Sequence, residues 1–168
     1  MAIREIVTYP HPVLRKKAEK ITTFDDKLKQ LASDMGQTMY DAPGVGLAAN
    51  QIGITRQIIV VDISKEENEK QFIVLINPVI SDGEGSVSGE EGCLSVLDYE
   101  AKVKRFQKIK VSALNLEGEE LNFEAEERFA RIIQHEVDHL HGTLFIDRIS
   151  GLKRTLYKKK LKKLLKKK

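Results

Sequence analysis

The sequence predicts an α+β domain, with small antiparallel or mixed sheets packed around one central helix and a further helix at the C-terminal end. Two segments carry apolar residues at helical spacing, 24–39 and 125–141. Between them, short apolar runs such as "QIIVVDI" and "FIVLIN" are separated by polar turns, the pattern of strands. No internal repeat and no convincing domain boundary interrupts the 168 residues, a length that one domain can bury around a cavity.

Taken in order, Phe24, Leu28, Leu31, Met35 and Met39 mark the first helix, capped by Thr23 or Asp25 and closed by Pro43. "GVGLAANQIG" suits a glycine-rich loop leading into the strand "QIIVVDI". The polar turn "SKEENEK" precedes the strand "FIVLIN", which meets Pro78, and "SDGEGSVSGEEG" suits a loop or hairpin region. "KIKVSALN" and "EELNF" flank "LEGE", where Gly118 makes a hairpin. The helix over roughly 125–141 ends near Gly142.

Charge divides the chain unevenly. The last 16 residues hold 10 Lys or Arg and no acid, leaving 18 basic against 25 acidic residues in 1–152. The expectation is an acidic catalytic globule over 1–152 and a basic tail over 153–168 that is not a separate domain. Leu156, Tyr157, Leu161, Leu164 and Leu165 recur at roughly helical spacing among the lysines, which makes the tail a basic amphipathic helix. A solvated, frayed end and a membrane-surface helix are the alternatives. No apolar run is long enough to span a bilayer, and "MAIREIVTYP" lacks a signal peptide's apolar core, so a cytoplasmic location without stable membrane insertion is expected. Cys93 is the only cysteine, so no intrachain disulfide forms.

"QHEVDHLHG" at 134–142 holds the most specific chemistry, a His-Glu-x-x-His motif. His135 and His139 are four apart and project from nearly the same helix face, where one divalent ion satisfies both imidazoles. Glu136 lies about 100° round the helix, able to reach a water at the metal without being a ligand. Surface histidines on an amphipathic helix are the bland alternative, and His141 fits that description. The central helix of the predicted fold is thus the metal-binding one.

A third ligand is needed. No Glu follows Glu136, and Phe145 stands where a metzincin would place its third histidine. The best remaining ligand is Cys93 in "EEGCLSV", a thiolate suited to Zn(II) or Fe(II). A lone cysteine is otherwise a small buried hydrophobe.

"GVGLAANQ" at 44–51, "EGCLS" at 91–95 and "QHEVDH" at 134–139, in that order, closely resemble the peptide deformylase family. The resemblance runs from "YPHPVLRKKA" to "GTLFIDRIS" at 142–150. It implies a metal held by Cys93, His135 and His139: Fe(II) in the cell, with Ni, Co or Zn able to substitute. It implies Glu136 as general base and Gln51, with the backbone N–H of Leu94, as donors to the developing oxyanion. The implied substrate is an N-formylmethionyl peptide lying extended between Val45–Gly46 and the segment ending at Gly92. Its methionine pocket draws on Arg128, Phe129, Arg131 and Ile132. Family members with a ribosome-docking C-terminal helix make the ribosome, near the nascent-chain exit, the expected partner of the tail. Leu97, Glu127 and Arg128 depart from residues common in the family and bear on the substrate rim. Asp138 and Arg105 suit either a pair behind the ligands or a surface salt bridge. A zinc endopeptidase, or an RNA-binding module with a structural metal, are the remaining alternatives.

Overall fold

The computed structural model describes residues 2–66 and 69–166. Its first helix, α1 (Asp26–Asp41), starts where Asp25 accepts a hydrogen bond from the Leu28 N–H at 3.0 Å, which selects Asp25 over Thr23 as the cap. Leu28, Leu31, Met35 and Met39 form its buried stripe, as the 3.6-residue period requires.

Five strands form one antiparallel sheet: β1 (Gly46–Ala48), β2 (Ile58–Asp62), β3 (Phe72–Glu84), β6 (Lys108–Leu114) and β7 (Glu120–Glu126), in the order β1-β2-β3-β6-β7. The run "IIVV" is apolar throughout because both faces of β2 are covered. Ile58 and Val60 face the α1 side, while Ile59 and Val61 face the helix α2 (Glu127–Leu140). The β6–β7 turn is the expected one, with Gly118 at φ +80° and its N–H bonded to Asn115 O at 3.0 Å.

Two segments differ from expectation. "GVGLAANQIG" is not a plain loop, since it contains β1 and a 3₁₀ turn over Ala49–Ile52. The region read as loop or hairpin, 81–92, is largely strand but not a hairpin: β3 runs on to Glu84, and β4 (Val87–Cys93) begins three residues later in a different sheet. β4 pairs with β5 (Val96–Arg105) in a separate two-stranded sheet, a strand that the sequence pattern did not reveal.

The C-terminal helix α3 spans Gly151–Lys166, so the boundary placed at 152/153 falls inside it; Lys167 and Lys168 of the tail lie outside the described residues. Only part of the expected apolar stripe is covered. Tyr157 and Leu161 are buried in a third core with Val96, Val103, Phe145 and Ile146, and Leu164 is half-buried, whereas Leu152, Leu156 and Leu165 are exposed. Tyr157 also donates a hydrogen bond to Leu97 O at 3.1 Å, and Lys160 donates to Asp98 O at 2.8 Å. The tail is therefore packed into the globule rather than appended to it. Among the described residues, no helix is long and apolar enough to cross a membrane.

Candidate metal centre

Ala130, Ile133, Val137 and Leu140 press α2 onto the large sheet. That rotation carries His135 and His139 inward, one turn apart, with ring centroids 5.1 Å from each other. Cys93 closes β4 at the tight turn into β5, where it pairs with Val96. Its Sγ lies 3.4 Å from His139 Nε2, and the ligand atoms of Cys93, His135 and His139 all lie within 4.8 Å of one another.

Glu91 organises the far side of this cluster. Its Oε1 is 2.9 Å from His135 Nδ1, which leaves Nε2 as the ring nitrogen available for coordination. Arg105 grips the same carboxylate with two bonds of 2.9 Å, and Arg131 adds one of 2.6 Å. Burial pushes the Glu91 carboxyl up, but Arg105 and His135 outweigh it and hold the pKa at about 2. Arg105 is buried and reaches Asp138 at 2.6 Å, as Arg148 also does, so this pair lies behind the ligands and is no surface salt bridge. His141 is exposed.

The surroundings suit a cation. Burial opposes charge on His135, yet Glu136, Cys93 and Glu91 together raise its pKa well above the ordinary value. Burial and the neighbouring His135 lower that of His139, which favours the neutral, ligating form. Glu136 is buried, and burial lifts its pKa to about 7 against the opposing pull of His135. Among the described residues, Glu136 Oε1 and His139 Nδ1 have no hydrogen-bond partner. An unpartnered buried carboxylate oxygen beside a convergent cysteine sulfur and two imidazoles fits an ion with a water beside it.

A cleft of about 1160 Å³ opens over these groups. Val45, Gly46, Gln51, Gly92, Cys93, Leu94, Arg128, Arg131, Ile132, His135 and Glu136 all border it. A side chain at Gly46 would sit 2.5 Å from Glu136 Oε2, so glycine is what lets β1 pass this close to the carboxylate. Phe129 does not border the cleft; its ring stacks on Phe123 at 5.9 Å and packs against the core, because it lies on the α2 face turned to the sheet. Gln51 is held on both sides of its amide. Its Oε1 accepts from the Ala48 N–H at 3.0 Å, and its Nε2 donates to Ser95 Oγ at 3.1 Å and to Cys93 Sγ at 3.5 Å.

Glu91 and Ser95 are the functional neighbours that the sequence reading missed. Both stand inside the quoted "EGCLS" motif, and their proximity to Cys93 was the available signal. Their partners at the site, His135 for Glu91 and Gln51 for Ser95, each lie 44 residues away, however.

Fold and site together define an α+β metallohydrolase built on a helix-borne His-Glu-x-x-His motif. The sequence matches the family described as polypeptide deformylase over residues 3–155. The chain belongs to the polypeptide deformylase family, and it removes the N-formyl group from the N-terminal formylmethionine of polypeptides, releasing formate. It is 54% identical over 164 residues to the peptide deformylase of Desulfotalea psychrophila, with 97% of each chain covered. The crystal structure of a peptide deformylase from Legionella pneumophila superposes with a TM-score of 0.90 at 44% identity, covering 98% of this chain and 96% of that one. A Met-Ala-Ser-bound class I type b peptide deformylase from Acinetobacter baumannii gives a TM-score of 0.83 at 35% identity, covering 88% and 99%. The endopeptidase alternative finds no support among these relatives.

Proposed function

We propose that Cys93, His135 and His139 hold the metal of this deformylase and that the ion is Fe(II), with Ni, Co or Zn able to replace it. The convergence of these three ligand atoms beside the buried Glu136 carries the reading. A soft thiolate with two imidazoles suits all four metals. When bound, the ion supplies Lewis-acid activation of water and polarisation of the formyl oxygen.

The protein groups do the rest. Glu136 takes the proton of the attacking water and passes it to the leaving amine, which the position of its unpaired Oε1 favours. Gln51 Nε2, already oriented by Ser95 and Ala48, donates to the oxygen on which charge develops, and the Leu94 N–H assists. The peptide lies extended in the cleft between Val45–Gly46 and Gly92, adding its main chain to the free edge of β4. Arg128, Arg131 and Ile132 border the space for its first side chain. The tripeptide carried by the Acinetobacter baumannii relative supports a peptide in this cleft.

Anaerobic purification with elemental analysis and a formyl-Met-peptide assay on one sample tests the centre. Iron should track activity, and that activity should decay in air faster than activity of the nickel form. Equal air stability of the two forms would overturn the iron assignment. Cys93→Ala should bind metal much more weakly, and undiminished binding would remove Cys93 from the ligand set.

The cytoplasm is the proposed compartment, and the ribosome near the nascent-chain exit is the proposed partner of α3. Lys158, Lys159, Lys162, Lys163 and Lys166 are all exposed on that helix. Because Tyr157 and Leu161 belong to the core, removing the tail would test folding rather than docking. Changing Lys158, Lys159, Lys162 and Lys163 to Gln is the sharper experiment. Cosedimentation with ribosomes should weaken, and salt should weaken it in the unchanged protein, since phosphate contacts release counterions. Salt-insensitive cosedimentation would defeat this proposal.

A further inference from the structure

β4 carries both a metal-ligand candidate and the edge on which the peptide is read to lie, yet it has almost no apolar anchorage. Its side chains are exposed or half-buried from Val87 to Cys93, with the single exception of Glu91. β5 is held by Val96, Ala101 and Val103 in the third core, so β4 depends on its ladder to β5 and on whatever grips Glu91. A two-stranded sheet is only marginally stable by itself.

Arg131 is placed to supply the missing anchor. Its Nη1 donates to Glu91 Oε2 at 2.6 Å, to Val103 O at 2.9 Å and to Gly89 O at 3.4 Å, while Nη2 donates to Val87 O at 2.7 Å. One guanidinium therefore ties the metal helix to a buried carboxylate and to the main chain of both strands. The side chain is 16% exposed, which strengthens these charge-assisted bonds. Gly89 makes the approach possible: a Cβ there would stand 3.0 Å from Arg131 Cζ and Nε. We propose that Arg131 is a positioning residue that anchors β4, and with it the substrate edge, to the α2 helix bearing His135 and Glu136. Both of its terminal nitrogens are engaged by the protein, so it shapes the cleft wall rather than pairing with substrate charge. The part of this inference concerning substrate rests on the reading of β4 as the docking edge.

The full chain carrying Arg131→Leu or Arg131→Lys tests it, with two independent readouts. The first is hydrogen exchange of the 87–92 amides in metal-free protein, referenced to β6. Arg131→Leu should speed exchange of those amides about tenfold or more while β6 is unchanged, the scale of losing hydrogen bonds to a charged group. The second is kinetics on formyl-Met-Ala-Ser with metal content measured. KM should rise about tenfold with kcat per bound metal altered less than roughly threefold, because Arg105 still holds Glu91 against His135. Arg131→Lys, with one compact charge in place of the fork, should recover part of both effects. If Arg131→Leu does not fold, Gly89→Ala crowds the same contact and should speed β4 exchange in the same way. Unchanged β4 exchange in a folded Arg131→Leu variant, or in Gly89→Ala where that variant is the one available, overturns the inference. Faster exchange with unchanged KM leaves the anchor standing and overturns the reading that the peptide pairs with β4.

Discussion

Glu136 shows how one backbone detail sets the chemistry of a residue. It is 5% exposed, and Gly46 lets β1 close over it so that burial raises its pKa to about 7, near the pH at which a proton acceptor must also release its proton. Glu136→Ala should therefore lower kcat by ~10²–10⁴ with metal content unchanged, measured by formate release beside elemental analysis. Gln51 has a different task. Its amide is fixed by Ala48 and Ser95, and the Nε2 proton that meets Cys93 Sγ only at 3.5 Å is the one to turn to the oxyanion. Gln51→Leu should lower kcat on the order of 10²–10³ while KM changes far less. A variant altered only in KM would show that Gln51 binds the ground state.

At the scale of elements, α1 and α2 were legible because each buries a continuous apolar stripe, and that stripe is what a 3.6-residue period reports. β2 was legible as an unbroken apolar run. β4 was hidden because its one inward side chain is a glutamate, so it shows no apolar alternation. β5 was hidden for a related reason: its inward set, Val96, Ala101, Val103 and Arg105, ends in an arginine and is interrupted by Asp98 at φ +51°. The ligand-bearing motifs could be read directly, whereas Glu91 as their hub could not, since its value depends on Arg105, Arg131 and His135 arriving from other elements. That hub gives β4 an acid sensitivity. The Glu91 pKa falls from 4.5 to about 2 on folding, so its stabilisation is complete above 4.5 and is lost as pH drops toward 2. The melting temperature of the metal-free protein should decline more steeply across that window than that of Glu91→Gln. Parallel declines would show that the hub does not carry the effect.

At the scale of the whole molecule, three cores meet around the cleft, and α3 completes the third. Tyr157 is 1% exposed, with its ring 4.6 Å from that of Tyr99, a residue bordering the cleft. Tyr157→Ala should cost about 3–5 kcal/mol in chemical denaturation, the scale of deleting a buried aromatic ring. Tyr157→Phe, which removes only the bond to Leu97 O, should cost about 1 kcal/mol. Equal losses in the two variants would assign the effect to the hydroxyl instead of the ring. The position of α3 in chain order has a further consequence, for biosynthesis. A ribosome emits β5 before residues 151–166, so Val96, Ala101 and Val103 leave the exit tunnel with Val13 and Leu14 already made but without Tyr157 and Leu161 of the same core. Until α3 follows, that strand lacks part of its apolar cover, and the enzyme that trims other nascent chains finishes its own cleft wall only after most of itself has been translated.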